Sequence, residues 1–172
     1  MALASDYLEQ IKTALGDSWL PSLYVERVLK SPSRRYAFPP LPRNPRVEIH
    51  HTLLGIELQA GRSRMLCPDL ATARYLSIFL RIGCGAAAIP YDITRVSLTA
   101  DEFESSWQRT LLISDELTAS RSSAFRARVR RQIIAKVREE IDQAGSGPRV
   151  PQFKQSTKLK TPPKGTKKNV AA

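Results

Sequence analysis

Apolar residues recur along this chain at two different spacings, and the spacings predict where helices and strands lie. Spacings of three and four residues, which place side chains on one side of a helix, occur in five segments. We predict helices over Ser5–Leu15, from about Pro21 to Pro32, over 68–83, over about 100–113 and over about 121–143. Asp69 is a predicted helix N-cap, and Gly16 and Gly83 are predicted helix ends.

Alternating apolar positions predict two strand regions between these helices. Residues 46–67 predict a β-hairpin whose turn is formed by 59–62. The apolar phase shifts within its first strand at Gly55, where we expect a β-bulge. Residues 85–98 predict a short buried strand, an interruption at Pro90 and then further alternation. The predicted fold class is α+β: a small antiparallel or mixed sheet, made of the hairpin plus one or two further strands, packed with helices.

Acidic residues near the fourth predicted helix suggest its start. Thr99 and Glu102 fit a capping box, in which each side chain binds the other residue's backbone N–H. Asp101 with Glu102, and Asp115 with Glu116, are expected at helix starts. A carboxylate there stabilises the helix dipole by about 0.3–1 kcal/mol, which accounts for these acids without a catalytic role.

Composition divides the chain into four segments. We predict N-terminal helices over 1–30, a proline-rich arm over 31–46, an α+β core over 47–144 that ends in a long basic helix, and a disordered tail over 145–172. The arm holds five prolines and four arginines, so we expect an extended, polyproline-like segment. It should lie across the domain with aromatic side chains packed in; a ligand for a proline-reading module is the alternative. The tail is too poor in apolar residues to offset the ~1–2 kcal/mol per residue that ordering its backbone costs.

The net charge of +11 arises entirely after residue 120. Residues 1–120 hold 13 Lys and Arg against 13 Asp and Glu, whereas residues 121–172 hold 14 Lys and Arg against three acids. Such an asymmetry indicates an anionic partner: nucleic acid, an anionic membrane or an acidic protein. The alternative is that the basic end of the chain mainly aids solubility.

The final predicted helix concentrates its cations on one side. At about 100° per residue, four arginines fall within about 100° of one another and form the predicted outer stripe: Arg121, Arg128, Arg131 and Arg138. The opposite side is apolar and is expected to pack on the domain: Phe125, Val129, Ile133, Val137 and Ile141. Arg126 and Arg130 lie towards the apolar side, where they either reach out to solvent or meet acids of the core. Arginine suits bidentate contacts to phosphate, so the outer stripe is the main candidate site.

Further candidate cations lie in the tail and the arm. The tail lysines suit non-specific attraction to a phosphate backbone: Lys154, Lys158, Lys160, Lys164, Lys167 and Lys168. The arm and its border supply secondary candidates, and the sequence does not define whether they share the basic face: Arg34, Arg35, Arg43 and Arg46. Tyr36, Phe38 and Phe153 lie among these cations and are candidates for stacking on bases.

The sequence contains no signature of a catalytic or metal site. His50 and His51 are adjacent in a predicted strand and therefore point to opposite faces. Cys67 and Cys84 lack the close pairing typical of zinc ligands. Cys84 lies between two glycines, which suggests an exposed thiol, but a buried structural cysteine is the simpler interpretation. We expect no catalytic residue, no metal and no cofactor.

These features favour a small non-enzymatic protein that binds nucleic acid. RNA or a ribonucleoprotein is favoured over a defined DNA site, because no motif for sequence-specific reading is present. The alternative is an assembly factor or adaptor that docks on an acidic protein surface, and an enzyme of unrecognised type is a further one. A membrane surface is disfavoured because the apolar side of the basic helix is needed by the core.

The expected location is the cytoplasm. The N-terminus lacks the basic and apolar regions of a secretory signal, and no apolar run approaches the ~20 residues that cross a bilayer. Two cysteines are too few for a disulfide framework. The sequence does not define the oligomeric state.

Overall fold

The computed structural model describes residues 3–42 and 45–147, within which the chain forms five α-helices and five β-strands. In chain order they are α1 (Ala4–Leu15), α2 (Leu20–Tyr24, continued by a π-helical turn over Val25–Leu29), β1 (Ser33–Ala37), β2 (Val47–Thr52), β3 (Gly55–Ala60), β4 (Ser63–Cys67), α3 (Leu70–Ile82), β5 (Ala86–Pro90), α4 (Ile93–Leu117) and α5 (Ser123–Ala144). The strands form two antiparallel sheets, one of β1 and β5 and one of β2, β3 and β4. The predicted α+β class is therefore confirmed. Almost all of the predicted disordered tail lies outside the described residues.

Helix α3 lies at the centre of the hydrophobic core, as its wide apolar surface predicts. Leu76 and Phe79 are fully buried, and α3 contacts α4, α5 and both sheets. The Asp69 carboxylate accepts a hydrogen bond from the Thr72 N–H at 2.7 Å and caps the helix start. Gly83 ends the helix in the left-handed conformation, with φ of 88°. Both predicted ends of this helix are confirmed.

The two-stranded sheet fixes the proline-rich arm to the core. β1 pairs with β5 so that Arg35 lies opposite Ala88. The Tyr24 hydroxyl accepts a hydrogen bond from the Ala88 N–H at 2.8 Å, and the Tyr75 hydroxyl donates to the Ala88 carbonyl at 2.6 Å. Because both tyrosines are buried, the peptide groups at this point of β5 are satisfied within the core. The segment is extended, as predicted, but residues 33–37 form a regular strand rather than a polyproline helix.

Strands β2, β3 and β4 form a three-stranded meander where a single hairpin was expected. The predicted turn near residues 59–62 is present between β3 and β4. The predicted bulge at Gly55 is wrong, because Gly55 has φ of 125° and ends a tight turn between β2 and β3. Leu53 and Leu54 form that turn and are exposed, so their apolar character does not mark burial. The shift in apolar phase marks a reversal of the chain.

Helix α4 begins at Ile93, about two turns before its predicted start. The Asp92 carboxylate caps it by accepting a hydrogen bond from the Thr94 N–H at 3.0 Å. The strand predicted after Pro90 is therefore wrong. Val96 is buried whereas Leu98 is exposed, so these positions follow the helical period.

The residues expected at helix starts have other roles. Thr99 lies inside α4, where its hydroxyl donates to a backbone carbonyl one turn earlier, so the predicted capping box is wrong. Asp101 and Glu102 pair with arginines of other segments, Asp101 with Arg74 of α3. Asp115 lies in the last turn of α4 rather than at a helix start. These acids connect helices by ion pairs.

The N-terminal helices cover one side of the core. Helix α1 ends at Gly16 as predicted, but its start is capped by the Asp6 carboxylate, which accepts a hydrogen bond from the Leu3 N–H at 2.8 Å, rather than by Ser5. In α2 and its continuation, the predicted buried positions Tyr24 and Val28 are confirmed. Over the described part of the chain, no helix has the length and apolar character needed to cross a membrane.

Candidate nucleic-acid interface

Helix α5 presents its cations to solvent because its apolar side packs on the core. The Ser122 hydroxyl accepts a hydrogen bond from the Phe125 N–H at 3.3 Å and caps the helix start. The predicted apolar side is confirmed at Val129, Ile133, Val137 and Ile141, which are buried, and Phe125 is partly buried. The helix lies against α1, α2, α3 and α4. Its opposite side, where the outer stripe was predicted, therefore faces away from the core.

Two arginines of α5 share one carboxylate within the protein, which offsets one of their two positive charges. Arg130 contacts the Asp115 carboxylate at 3.1 Å, and Arg126 lies 3.7 Å from the same group. Both were expected either to reach solvent or to meet an acid of the core, and the second outcome is observed. The shared carboxylate ties both arginines to α4, and the three groups together keep a net charge of +1.

Arg121 is held by two aromatic rings at the start of α5. Its guanidinium carbon lies 4.9 Å from the centre of the Phe125 ring and 5.8 Å from that of Tyr7. Its Nε also donates a hydrogen bond to the Tyr7 hydroxyl at 3.1 Å. These contacts are attractive because a cation interacts favourably with the face of an aromatic ring. They fix the side chain while leaving it without a carboxylate partner among the described residues.

Arg138 is held by the end of α3. Its Nε donates a hydrogen bond to the Ile82 carbonyl at 2.9 Å, so it caps the C-terminus of that helix. The guanidinium lies over Gly83, where a β-carbon would approach it to 3.2 Å. Glycine at this position therefore provides both the left-handed turn and the space for the arginine. Arg138 makes no ion pair within the described residues, although its charge acts on Asp142, one turn later on α5.

Arg128 and Arg131 are the freest members of the outer stripe. Both are exposed, and neither makes an ion pair or a side-chain hydrogen bond within residues 3–42 and 45–147. The stripe therefore consists of two fixed arginines and two that are free to adapt. This combination is suited to an anion with several phosphates, because fixed cations lose less side-chain entropy on binding.

A cleft of about 660 Å³ lies between the proline-rich arm, the end of α3 and α5. Its walls are Phe38, Pro39, Pro40, Leu41, Pro42 and Pro45 of the arm; Arg81, Ile82, Gly83, Cys84 and Gly85 at the end of α3; and Arg131, Ile134, Ala135 and Arg138 of α5. We call this the arm–α5 cleft. Three of the lining residues are arginines and none carries a carboxylate. The cleft therefore joins a cationic side to an apolar one.

Two smaller clefts adjoin the outer stripe or the arm–α5 cleft, and the smaller of the two is lined by Asp142 as well as by Arg35. Arg121 and Arg128 line one of about 470 Å³, next to the start of α1. Arg35 lines another of about 360 Å³, which shares Gly85 with the arm–α5 cleft. The secondary candidate Arg35 thus adjoins the main cationic surface, a relation that the sequence left open.

The other secondary candidates and the tail differ in their positions. Arg34 is exposed on β1, and as the neighbour of Arg35 in a strand it lies on the opposite face. Arg46 is also exposed but pairs with Glu48 at 2.7 Å, which reduces its availability. Arg43 and the tail candidates lie outside the described residues: Lys154, Lys158, Lys160, Lys164, Lys167 and Lys168.

Both cysteines are buried, and both histidines lie on β2. Cys84 lines the arm–α5 cleft but is buried, and burial raises the pKa of its thiol to about 12. Burial also raises the pKa of Cys67, so both thiols are protonated at neutral pH and are weak nucleophiles. His50 lies against Glu48 at 3.2 Å. Within the described ranges, no group of three or more His, Cys, Asp and Glu side chains is arranged to hold a metal ion.

Sequence reasoning missed Arg81 and the cleft itself. Arg81 lies in the last turn of α3, and its only sequence signal is a cation two residues before a helix-ending glycine. The neighbouring Gly85 carbonyl accepts a hydrogen bond from the Phe38 N–H at 3.0 Å and so holds the arm against the end of α3. This contact joins residues almost fifty positions apart, and no local pattern reveals it.

Comparison of the chain with protein-family models, with curated proteins and with solved structures finds no match.

Proposed function

We propose that this protein is a non-enzymatic nucleic-acid-binding protein whose favoured partner is RNA or a ribonucleoprotein. The observation that carries the proposal is the division of the α5 arginines into two groups. Arg126 and Arg130 share the Asp115 carboxylate, which offsets one of their two positive charges. Arg128 and Arg131, on the other side, have no acidic partner among the described residues. Such an unneutralised row of guanidiniums supports binding to a phosphate backbone.

Other features support the same proposal. Arg128 and Arg131 adjoin two fixed arginines, Arg121 and Arg138, and a cleft that has an apolar wall. Proteins that bind single strands combine positive charge with a surface for base stacking, and this region offers both. The tail lysines are expected to add non-specific attraction, and the cytoplasm remains the predicted location.

Salt-dependent binding of RNA tests the proposal. Fluorescence anisotropy would follow the protein binding to a labelled single-stranded RNA of about 20 nucleotides at several salt concentrations. For single strands, log K falls with log salt with a slope of about −0.7 for each phosphate contacted. The double variant Arg128→Gln/Arg131→Gln should therefore show a slope shallower by about 1.4 if each arginine meets one phosphate. Between about 50 and about 200 mM salt, the unmodified protein should lose roughly sevenfold more affinity than this variant.

A matched control is available in the same helix. Arg126→Gln/Arg130→Gln removes the same formal charge, but from residues already paired with Asp115. Its slope should stay close to that of the unmodified protein. Equal effects of the two double variants would show that total charge matters and the exposed stripe does not. A protein that ignores RNA and DNA at low salt would end the proposal.

The second candidate function is an adaptor that docks on an acidic protein surface. A protein partner is supported by Leu53 and Leu54, which are both exposed at the β2–β3 turn, with the exposed Leu66 nearby on β4; the acidic character of that partner's surface is supported separately by the outer arginine stripe of α5. Exposed apolar clusters of this kind often mark protein contacts. Affinity purification with and without nuclease separates the two functions. A partner protein that stays bound after nuclease treatment, and is lost in Leu53→Ser/Leu54→Ser, favours the adaptor.

A further inference from the structure

The arm–α5 cleft differs from the rest of the basic face because one wall is apolar. Phe38 and the arm prolines form this wall, and Arg131 and Arg138 form part of the facing side. Its volume of about 660 Å³ lies within the ~300–1,000 Å³ usual for sites that enclose a small organic group. A bare phosphate needs only cations, so an apolar wall of this extent indicates a ligand that also has a flat or apolar part.

Hydrogen bonds and ring packing within the protein hold both walls in place. The Phe38 N–H donates to the Gly85 carbonyl at 3.0 Å, and the Phe38 ring packs on Tyr36 with their centres 5.3 Å apart. On the other wall, Arg138 is fixed by the Ile82 carbonyl at 2.9 Å. An aromatic ring and a guanidinium therefore face one cleft from fixed positions, which limits the conformational entropy lost on binding.

The charges of the cleft select an anion. Arg81, Arg131 and Arg138 line it, and no carboxylate does so among the described residues. The negative end of α3 is also masked there, because Arg138 binds its terminal carbonyl. An anionic group entering the cleft thus meets three arginines in its walls, while the charge of Asp142, one turn after Arg138 on α5, acts on Arg138 and Cys84 from outside the lining.

We infer that the arm–α5 cleft holds one nucleotide unit of a single-stranded nucleic acid, with the base against Phe38 and the arm prolines and the phosphate at Arg81, Arg131 and Arg138. The inference rests on the proposed nucleic-acid binding and adds a base-dependent contact to it. A base-paired strand does not place a base in the cleft, because its bases are stacked inside the duplex. Sequence preference is weak, since stacking on a ring accepts every base.

Abasic oligonucleotides provide the test. Anisotropy would compare three labelled probes of about 10 nucleotides: a single-stranded RNA, the same backbone without bases and an RNA duplex. The single strand should bind at least about fivefold more tightly than the abasic strand, which corresponds to the lower limit of one stacked base. In Ala135→Trp, which fills the cleft without a change of charge, this difference should disappear. Ala127→Trp makes the same substitution two turns earlier on exposed α5 surface outside the cleft and should keep the difference.

The outcomes separate this inference from the proposed function. Equal binding of the base-bearing and abasic strands by the unmodified protein would overturn the nucleotide site while leaving electrostatic binding intact. Failure to bind any of the three probes at low salt would instead overturn the proposed function. As a second variant, Phe38→Leu keeps an apolar side chain but removes the ring. It should weaken binding of the base-bearing strand only, and an equal loss for the abasic strand would contradict the stacking role.

Discussion

Replacing Tyr24 with phenylalanine tests how the end of α5 and strand β5 are held together. The Tyr24 hydroxyl donates a hydrogen bond to the Gly145 carbonyl at 2.7 Å and accepts one from the Ala88 N–H at 2.8 Å. It therefore links the residue that follows the basic helix to the sheet that carries the arm. Tyr24 is fully buried, so water does not replace the lost oxygen unless the packing opens.

Tyr24→Phe should lower the free energy of unfolding by about 2–4 kcal/mol. Leaving the buried Ala88 N–H without an acceptor costs about 1–3 kcal/mol, and the lost bond to Gly145 contributes roughly another 1 kcal/mol. Urea denaturation followed by circular dichroism would measure this as a lower midpoint with an unchanged m-value. Tyr75→Phe removes one hydrogen bond and leaves only the Ala88 carbonyl without that partner, so it should lower the free energy of unfolding by less than Tyr24→Phe does.

Tyr91→Phe is the control, because Tyr91 is exposed on the surface after β5. It should change the free energy of unfolding by no more than about 0.5 kcal/mol. The reasoning fails if Tyr24→Phe is as stable as Tyr91→Phe, or if Tyr75→Phe is the more damaging of the two buried variants.

Three further predictions concern pH and the contacts around the basic helix. Burial raises the pKa of Tyr24 from 10.0 to about 12, so the unfolded chain loses the phenolic proton first. The raised thiol pKa of Cys84 already lowers stability above about pH 9, and Tyr24 adds a further fall of up to about 3 kcal/mol between about pH 10 and pH 12; urea denaturation across this range should show the further fall in the unmodified protein and not in Tyr24→Phe. Glu140→Ala leaves the indole N–H of the buried Trp19 without its acceptor, so it should lower the free energy of unfolding by about 1–3 kcal/mol. Thermal denaturation would measure this, and an unchanged midpoint would show that the hydrogen bond does not stabilise the fold. Gly83→Ala places a β-carbon 3.2 Å from the Arg138 guanidinium at a φ of 88°, so it should lower the free energy of unfolding by about 1–2 kcal/mol and also weaken RNA binding. Lower stability with unchanged RNA binding would argue against a role of Arg138 in binding.

The sequence predicts those elements of the fold whose ends are encoded locally. Asp69 and Gly83 bound α3 because a carboxylate N-cap and a left-handed glycine act through neighbouring backbone groups. Helix α5 is likewise predicted within two residues at its start and one at its end. In both helices the apolar spacing also marks the side that packs on the core, since that packing is continuous along the helix.

The errors arise where apolar residues are exposed. Leu53 and Leu54 form a turn at the surface, and so the shift in apolar phase was interpreted as a bulge rather than as a second turn. Ile93 and Leu98 are exposed on the first turns of α4 and, with Val96 between them, imitate the alternation of a strand. Periodicity assumes that apolar residues are buried, and it fails at these positions.

The candidate site was predictable only in its helical part. The angular positions of Arg128 and Arg131 follow from helix geometry, so their shared exposure could be predicted. The arm–α5 cleft depends on contacts between segments far apart in the chain, such as Phe38 with Gly85 and Arg138 with Ile82. Its position follows from tertiary packing, for which the sequence offers no local signal.

The charges of the fold are segregated more sharply than the sequence indicates. Residues 1–120 are neutral in total, but acids of α4 are already used by arginines of other segments: Asp101 and Glu104 by Arg74, Glu102 by Arg27, and Asp115 by Arg126 and Arg130. The α4 side is therefore locally balanced, whereas the cleft on the far side of α5 has three arginines and no acid in its walls. Since exposed charges more than about 8–10 Å apart are largely screened at physiological salt, an approaching polyanion responds to this local imbalance rather than to the net charge. We therefore expect bound RNA to protect α5 and the arm from hydrogen exchange while α4 exchanges unchanged; protection of α4 alone would place the partner on the wrong side for the proposed site.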